Sequence, residues 1–263
     1  MGTLYTRSIG ALSAKGEYIF PLDGDDMLLD KDVYSTITKI ADKGNFDIVG
    51  FRGLIAYVSN NSVANYALES FFSDQKDNHV LFQPELGLYP LRPGNNYKDF
   101  KVMDVYLWKK CIKTNIYQKA LNKAGEERYS RFMVLHEDVL AIYILFNTAE
   151  SMKYIGKYGI LYIPNSEGTS KKFNIITHNI NHIYLADTVI EFTKDTFESK
   201  RVLVYIITSL LERSTLKETL ERNEYVKKLF ISCLNKILNM KYISDKDKKE
   251  IKDRTSKFEF LKF

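Results

Sequence analysis

Three carboxylates, Asp23, Asp25 and Asp26, close the apolar run Tyr18-Ile19-Phe20-Pro21-Leu22. Acids crowded into one loop repel each other unless a cation or a ligand hydroxyl shares the charge. A second acidic pair, Glu137-Asp138, heads the apolar stretch Val139 to Ala149. Together the two groups point to a divalent-metal transferase. Asp23 and Asp25 would flank a hard cation such as Mg²⁺ or Mn²⁺, which prefers oxygen ligands and shares them with phosphate. The cation would neutralise a departing diphosphate while a separate carboxylate takes the proton of an attacking hydroxyl. The plainer reading of Glu137 and Asp138 is favourable charge at a helix N-terminus, and their pattern alone does not choose between the two.

Other chemistries fit the same residues less well. A calcium EF-hand beginning at Asp23 needs glycine five places on, where Leu28 stands. A glycosidase carboxylate pair is compatible with the spacing but leaves unexplained why one acid cluster directly follows a buried strand. His178 and His182 stand at i, i+4 on a predicted helix, as metal-binding pairs do. Asn179 follows His178 where a His-Glu-x-x-His motif requires Glu, so both read as ordinary polar helix residues. The sequence has no Walker A loop, no Gly-x-Gly-x-x-Gly and no Gly-x-Ser-x-Gly.

The elements that must place these acids follow from periodicity. Residues 3–14 predict a short helix whose Gly10, Ala11 and Ala14 allow close packing on a sheet. Residues 17–22 predict a strand covered on both faces, because its apolar residues run together, and Gly24 turns the chain after it. A helix over 31–43 is capped by Asp30, carries Val33, Ile37, Ile40 and Ala41 on one face, and has Gly44 past its end. Strands are expected at 46–51, continuing through 55–58, at the edge over 79–83, and as a strand or hairpin over 153–163. A helix is expected from about 102 to 122, and a core helix over 139–149. Helix–strand alternation of this kind argues for an α/β layer with a mainly parallel sheet and flanking helices. Residues 59–99, broken by Pro84, Pro90 and Pro93-Gly94, read as an insertion or an acceptor-side loop region. After the loop 164–172 the character turns all-helical, with helices at 176–195, 200–213, 216–221, 224–240 and 245–254. The expected division is therefore an α/β part over residues 1–172 and a helical part over 173–263.

The 263 residues suffice for a substantial core. A net charge of +5 favours an anionic ligand or membrane surface and falls short of a dedicated nucleic-acid binder. Cys111 and Cys233 lie far apart without metal-type spacing, so both read as free thiols of a reducing compartment. With no long apolar span and no signal peptide recognisable, the expectation is a cytoplasmic protein. Peripheral membrane contact has two candidate sources. Met1 to Thr6 formally fits an N-myristoylation pattern, although Leu4, Ile9 and Leu12 already look like one side of a buried helix. In the 224–240 helix, Val226, Leu229, Phe230, Cys233, Ile237 and Met240 form a stripe with Lys227, Lys228 and Lys236 off it. Such a helix docks on its own domain more often than on a membrane surface.

The order Thr6-Arg7-Ser8-Ile9-Gly10, Ala14-Lys15-Gly16-Glu17-Tyr18-Ile19 and Leu22-Asp23-Gly24-Asp25-Asp26 resembles the middle of a family-2 glycosyltransferase of the GT-A fold. Leu107-Trp108-Lys109-Lys110, Glu137-Asp138 and Gly159-Ile160-Leu161-Tyr162 are similar to later elements of its bacterial-type members, so the resemblance spans roughly residues 5–170. The resemblance implies that Arg7 and Asp23 contact a nucleotide sugar, with UDP the family's usual carrier. It implies further that Asp25 ligates Mn²⁺ or Mg²⁺ with Asp23 and Asp26 nearby. Asp138 would be the general base and Glu137 would orient it or the acceptor. The implied reaction is an inverting displacement onto a glycan or other acceptor hydroxyl, in polysaccharide or glycoconjugate synthesis. The family's first βα units have no counterpart here, Ser8 stands where Asn is usual, and no Gln-x-x-Arg-Trp element is present. That implies a partial GT-A sheet whose open edge a partner could cover. Two alternatives stay open. One is a non-catalytic subunit or pseudoenzyme that binds a partner glycosyltransferase or a glycan. The other is an unrelated α/β metal-binding protein with structural acids.

Overall fold

The computed structural model describes residues 2–59, 62–67, 78–83, 85–88, 91–93, 100–102, 106–164, 174–193 and 197–258. Helix α1 (Thr3–Ser13) leads to the short strand β1 (Tyr18–Ile19) and, past the acidic loop, to β2 (Met27–Leu28). Helix α2 (Val33–Gly44) feeds the long strand β3 (Ile48–Ser59), then β4 (Ser62–Ala67), β5 (Val80–Phe82), α3 (Glu85–Leu88), β6 (Leu91–Pro93) and β7 (Phe100–Val102). A 3₁₀ turn over Leu107–Lys109 enters β8 (Lys110–Lys113), and α4 (Thr114–Ala124), α5 (Glu126–Tyr129), α6 (Glu137–Phe146) and β9 (Ser151–Tyr162) follow. The remaining described elements are helices α7 (Ile175–Phe192), α8 (Phe197–Leu211), α9 (Leu216–Arg222), α10 (Glu224–Asn239) and α11 (Asp245–Thr255).

The class is α/β with a helical C-terminal part, as the sequence implies, but the sheet is mixed. Its order is β1-β8-β3-β9-β2, with β4 on β3 and β5 on β9. Of the pairings within this sheet, β3 with β9 is parallel and the others are antiparallel. The expectation of a mainly parallel sheet fails for a specific reason. Residues 110–113, which fall inside the helix expected from about 102 to 122, form β8, which inserts antiparallel between β1 and β3. Alternating helix and strand argues for parallel pairing only where each helix crosses to a neighbouring strand. Among the described strands, β3 and β9 are the one parallel pair, and β4 to β8 lie between them in the chain.

Strand pleating divides the core into two layers. Ile48 and Ile112 face α1, α4 and α6, while their neighbours Val49 and Cys111 face Val33, Ile37 and Ala41 of α2. Helix α2 ends at Asn45, whose left-handed backbone (φ 50°) caps it one residue beyond the expected Gly44. Every residue of α6 from Val139 to Phe146 is buried. The layer around α6 continues without a break into the C-terminal helices, through Ile183, Val189, Ile207, Phe230, Ile237 and Phe258. In α10, Val226, Phe230, Cys233 and Ile237 of the predicted stripe are buried in this core, so that helix does not offer them to a membrane. Gly2 is likewise buried. No helix among the described residues is long and apolar enough to cross a membrane. The expected loop beyond Pro164, the boundary at 172/173 and about half of the region 59–99 lie outside the described residues.

The strand β3 passes directly under the Trp108 ring, and glycine at position 53 makes room for it. A Cβ added there would stand 2.3 Å from Cζ3 of Trp108. That ring is buried and stacked on Tyr162 with centroids 5.7 Å apart, so it cannot swing aside. Gly53→Ala is therefore expected to lower stability by about 1–3 kcal/mol in urea denaturation. A wild-type midpoint would show that the contact is not tight.

Candidate active site

Helix α1 turns Arg7 toward both acidic groups. One guanidinium nitrogen, Nη2, donates to Asp23 Oδ1 at 2.7 Å. The other, Nη1, donates to Asp138 Oδ1 in a short contact and lies 3.6 Å from Glu137 Oε1. Two acid groups remote in sequence thus meet on a single cation. Burial works against the Arg7 charge, but Asp138 and Asp23 outweigh it and its pKa rises. Arg7 is a fixed cation here.

Asp138 and Glu137 occupy the first turn of α6, where the unpaired N–H groups of the helix favour acids. The Asp138 carboxylate also accepts from the backbone N–H of Leu107 at the 3₁₀ turn. Burial, with the charges of Glu137 and Asp23, pushes its pKa up to about 7 against the pull of Arg7 and Leu107. A carboxyl group poised there can take a proton near neutrality. Tyr117, fully buried on α4, lies within electrostatic reach of both Arg7 and Asp138.

The acidic loop separates its three carboxylates. Asp23 is half-buried against Arg7, Asp25 is exposed, and Asp26 is buried at 8% exposure. Asp26 N–H donates to the Asp23 carbonyl (3.1 Å), which closes the turn. Asp26 Oδ1 accepts from Ile163 N–H at 3.0 Å, and its Oδ2 is buried without a partner. Asp23, Asp25 and Asp26 together raise the pKa of the Tyr162 hydroxyl, whose own burial is the larger cause. Among the described residues no three His, Cys, Asp or Glu side chains gather as a ready metal-ligand set. The donor chemistry still suits a hard cation. The unpartnered carboxylate oxygen of Asp26 and the carboxylate of Asp25, exposed on the same loop, are oxygen donors of the kind that a hard cation takes.

The structure therefore unites Arg7, Asp23, Glu137 and Asp138 through the Arg7 guanidinium, while Asp25 and Asp26 follow on the loop that Asp23 begins, with Asp26 tied to Asp23 through the backbone. Sequence reasoning missed the Leu107 N–H, because the local helix assignment hid the turn that presents it. It also passed over His136, which precedes the acid pair with a left-handed backbone at φ 63°. The His136 ring contacts those of His178 and His182, with centroids 5.0 and 5.1 Å apart. The i, i+4 spacing of the latter two was the available signal.

No protein-family model matches the sequence, and no curated protein matches it. Solved structures do. The structure of Staphylococcus aureus TarS residues 1–349 in complex with UDP-GlcNAc is similar with a TM-score of 0.50 and 11% identity. The match covers 99% of this chain and 69% of that one. TarS 1–349 in complex with UDP gives 0.49 and 12% identity over 99% of this chain and 68% of that one. The fold is glycosyltransferase-like. At such identity the likeness speaks for the fold and not for the site.

The burial of Asp26 yields a pH test. Its carboxyl is pushed from 3.8 up to about 6, chiefly by burial, with Asp23 and Asp25 adding and Ile163 N–H and Arg7 opposing. An acid raised on folding contributes fully below its unfolded value, and that contribution is lost as pH rises through the folded value. Asp26→Asn keeps the bond from Ile163 and removes the charge. It should raise stability by about 1–3 kcal/mol at pH 8 and leave it unchanged near pH 4. Urea denaturation at the two pH values measures this, and equal stability of mutant and wild type at pH 8 would contradict it.

Proposed function

We propose that the protein transfers a sugar from a nucleotide-sugar, a UDP-sugar by family expectation, to an acceptor hydroxyl with inversion at the anomeric carbon. The observation that carries this reading is the Arg7 bridge, which holds the acidic loop and a proton-accepting carboxylate around one point. Asp138 takes the proton of the acceptor hydroxyl as its oxygen attacks the anomeric carbon. The bond from that carbon to the diphosphate breaks on the opposite side, and the leaving group departs with the bonding electrons. Glu137 orients Asp138 or the acceptor, Asp23 contacts the donor, and Arg7 offers its charge to the diphosphate as that charge develops. Asp25, with Asp23 and Asp26, would hold Mn²⁺ or Mg²⁺, whose contribution when bound is to neutralise the departing diphosphate.

Calorimetry with UDP, with and without Mn²⁺, tests donor binding. Wild type should bind UDP more tightly with the metal, and Asp25→Ala should lose that difference. No UDP binding under either condition would sink the catalytic reading and favour a non-catalytic, partner-binding protein.

Hydrolysis of UDP-sugars, with water as acceptor, tests the base. Asp138→Asn should retain UDP affinity while the rate falls by about 10²–10⁴-fold. Because Asp138 must be ionised to act, the wild-type rate should fall as pH drops through about 7. A rate that stays flat to pH 5, or equal loss of binding in Asp138→Asn, would remove Asp138 from this role.

A further inference from the structure

The segment that delivers the acid pair, residues 131–136, is held by side chains of one helix from the C-terminal part. Asn181 of α7 is 1% exposed. Its Oδ1 accepts from the backbone N–H groups of Val134 and Leu135, both at 3.1 Å, and its Nδ2 donates to the Phe132 carbonyl at 3.3 Å. Before it, Arg131 Nη1 meets Asp187 Oδ2 of α7 at 2.9 Å, both side chains buried. After it, His136 Nε2 lies 3.2 Å from Nε2 of His178. On the opposite side the segment presses against the start of the helix that carries Arg7, since a Cβ at Gly2 would stand 2.7 Å from the Met133 carbonyl oxygen.

The hold has a job to do. His136 is a non-glycine residue in the left-handed region, a conformation that persists only where the surroundings impose it. Behind it Arg213 sets the sense of the hydrogen bonds. It donates from Nη1 to His178 Nδ1 in a short contact and to Asn179 Oδ1 at 3.0 Å, and from Nη2 to His182 Nδ1 at 3.1 Å. An arginine only donates, so His178 and His182 carry their protons on Nε2, and His178 donates onward to His136. Asn179 in turn donates to the hydroxyls of Thr215 and Thr219 at 2.9 and 3.0 Å, which ties the stretch after Arg213 to α7. Burial, then neighbouring positive charge, lowers the pKa of His136 to about 4 and that of His182 to about 2, so the chain of neutral rings is the state at neutral pH.

We propose that Asn181 is a positioning residue for the acid pair, backed by the His136–His178–Arg213 chain, and that α7 sets the angle at which α6 presents Glu137 and Asp138 to Arg7. The helical C-terminal part is then a component of the active site rather than an appendage. The catalytic consequence rests on the transfer reading above; the structural one does not.

The test pairs amide hydrogen exchange with UDP-sugar hydrolysis in Asn181→Ala, Asn181→Asp and Arg213→Gln. In Asn181→Ala, exchange at Val134, Leu135 and Leu140, whose N–H makes the first α6 bond to His136, should quicken about tenfold or more, with α10 and α11 unchanged. In the same variant kcat should fall about tenfold to a hundredfold, with donor KM held within about twofold. Asn181→Asp keeps both backbone acceptor bonds and should recover most of both readouts. Arg213→Gln acts from the outer end of the chain, so it carries the same test if Asn181→Ala does not fold. Wild-type exchange and wild-type kcat in the folded variants would overturn the proposal. So would loss of kcat without faster exchange at these amides. A wild type that hydrolyses no UDP-sugar and binds no UDP defeats the transfer reading instead, and the exchange arm then decides the positioning claim by itself.

Discussion

Arg7 lies between carboxylates that could not otherwise share so small a space. Asp23 lies 16 residues after it and Asp138 lies 131 residues after it, and a single guanidinium contacts both while Glu137 stands 3.6 Å away. At such separations, and with water partly excluded, unscreened repulsion between acids would cost several kcal/mol at an effective dielectric of about 20. The geometry of the whole molecule follows from bringing that guanidinium to that place. Helix α1 must lie beside α6, both must pack on the same side of the sheet as α4, and β1 must end where the loop can meet them. The buried layer that includes Leu4, Ala11, Tyr117 and Leu140 fixes these relations. The same arrangement explains why a carboxyl group pushed toward neutrality by burial is still held in one orientation.

Much of this was legible in the sequence, and the reasons are specific. The acidic loop announced itself because Asp residues directly after an apolar run seldom serve packing. Helix α6 was readable from its length and its unbroken apolar content, and the C-terminal helices from their 3.6-residue periodicity. What stayed hidden depended on partners far away in the chain. Cys111-Ile112 carries no alternation long enough to mark a strand, and only its place between β1 and β3 makes it one. Likewise, Asp26 looked like its two neighbours until its burial and its bond from Ile163 set it apart. His178 and His182 looked like ordinary polar helix residues because their partners, His136 and Arg213, lie 42 and 35 residues from His178.

These hidden partners change what the helical part means. A periodic helix read alone asks only which face is buried, and α7 answers with Ile183, Val189 and Ile190. Its polar residues Asn179, Asn181 and Asp187 are also buried, and buried polar groups are costly unless each finds a partner. Here Asn181 and Asp187 find theirs in the segment ahead of Glu137, and Asn179 finds its own among Arg213, Thr215 and Thr219. The polar row is best explained by what it holds: Asn181 the backbone of residues 132–135, Asp187 the Arg131 side chain, and Asn179 the side chains of Arg213, Thr215 and Thr219. Specificity of placement, more than net stability, is what such groups contribute.

The charge balance of the site then bears on what must enter it. Arg7 supplies one positive charge against Asp23, Glu137 and Asp138, with Asp25 and Asp26 adding to the negative side from the same loop. A diphosphate brought into this field would meet more repulsion than attraction if it came alone. One remedy is for Arg7 to turn from Asp138 toward the phosphate, but that leaves a partly buried carboxylate without its cation. The other is a divalent cation shared between the loop and the phosphates, for which the unpartnered Oδ2 of Asp26 and the exposed Asp25 provide oxygen donors. Under the second remedy Arg7 keeps its place and Asp138 keeps its orientation, so proton transfer and charge neutralisation fall to separate groups. Nucleotide binding that required no metal would favour the first remedy, with Arg7 as a moving part.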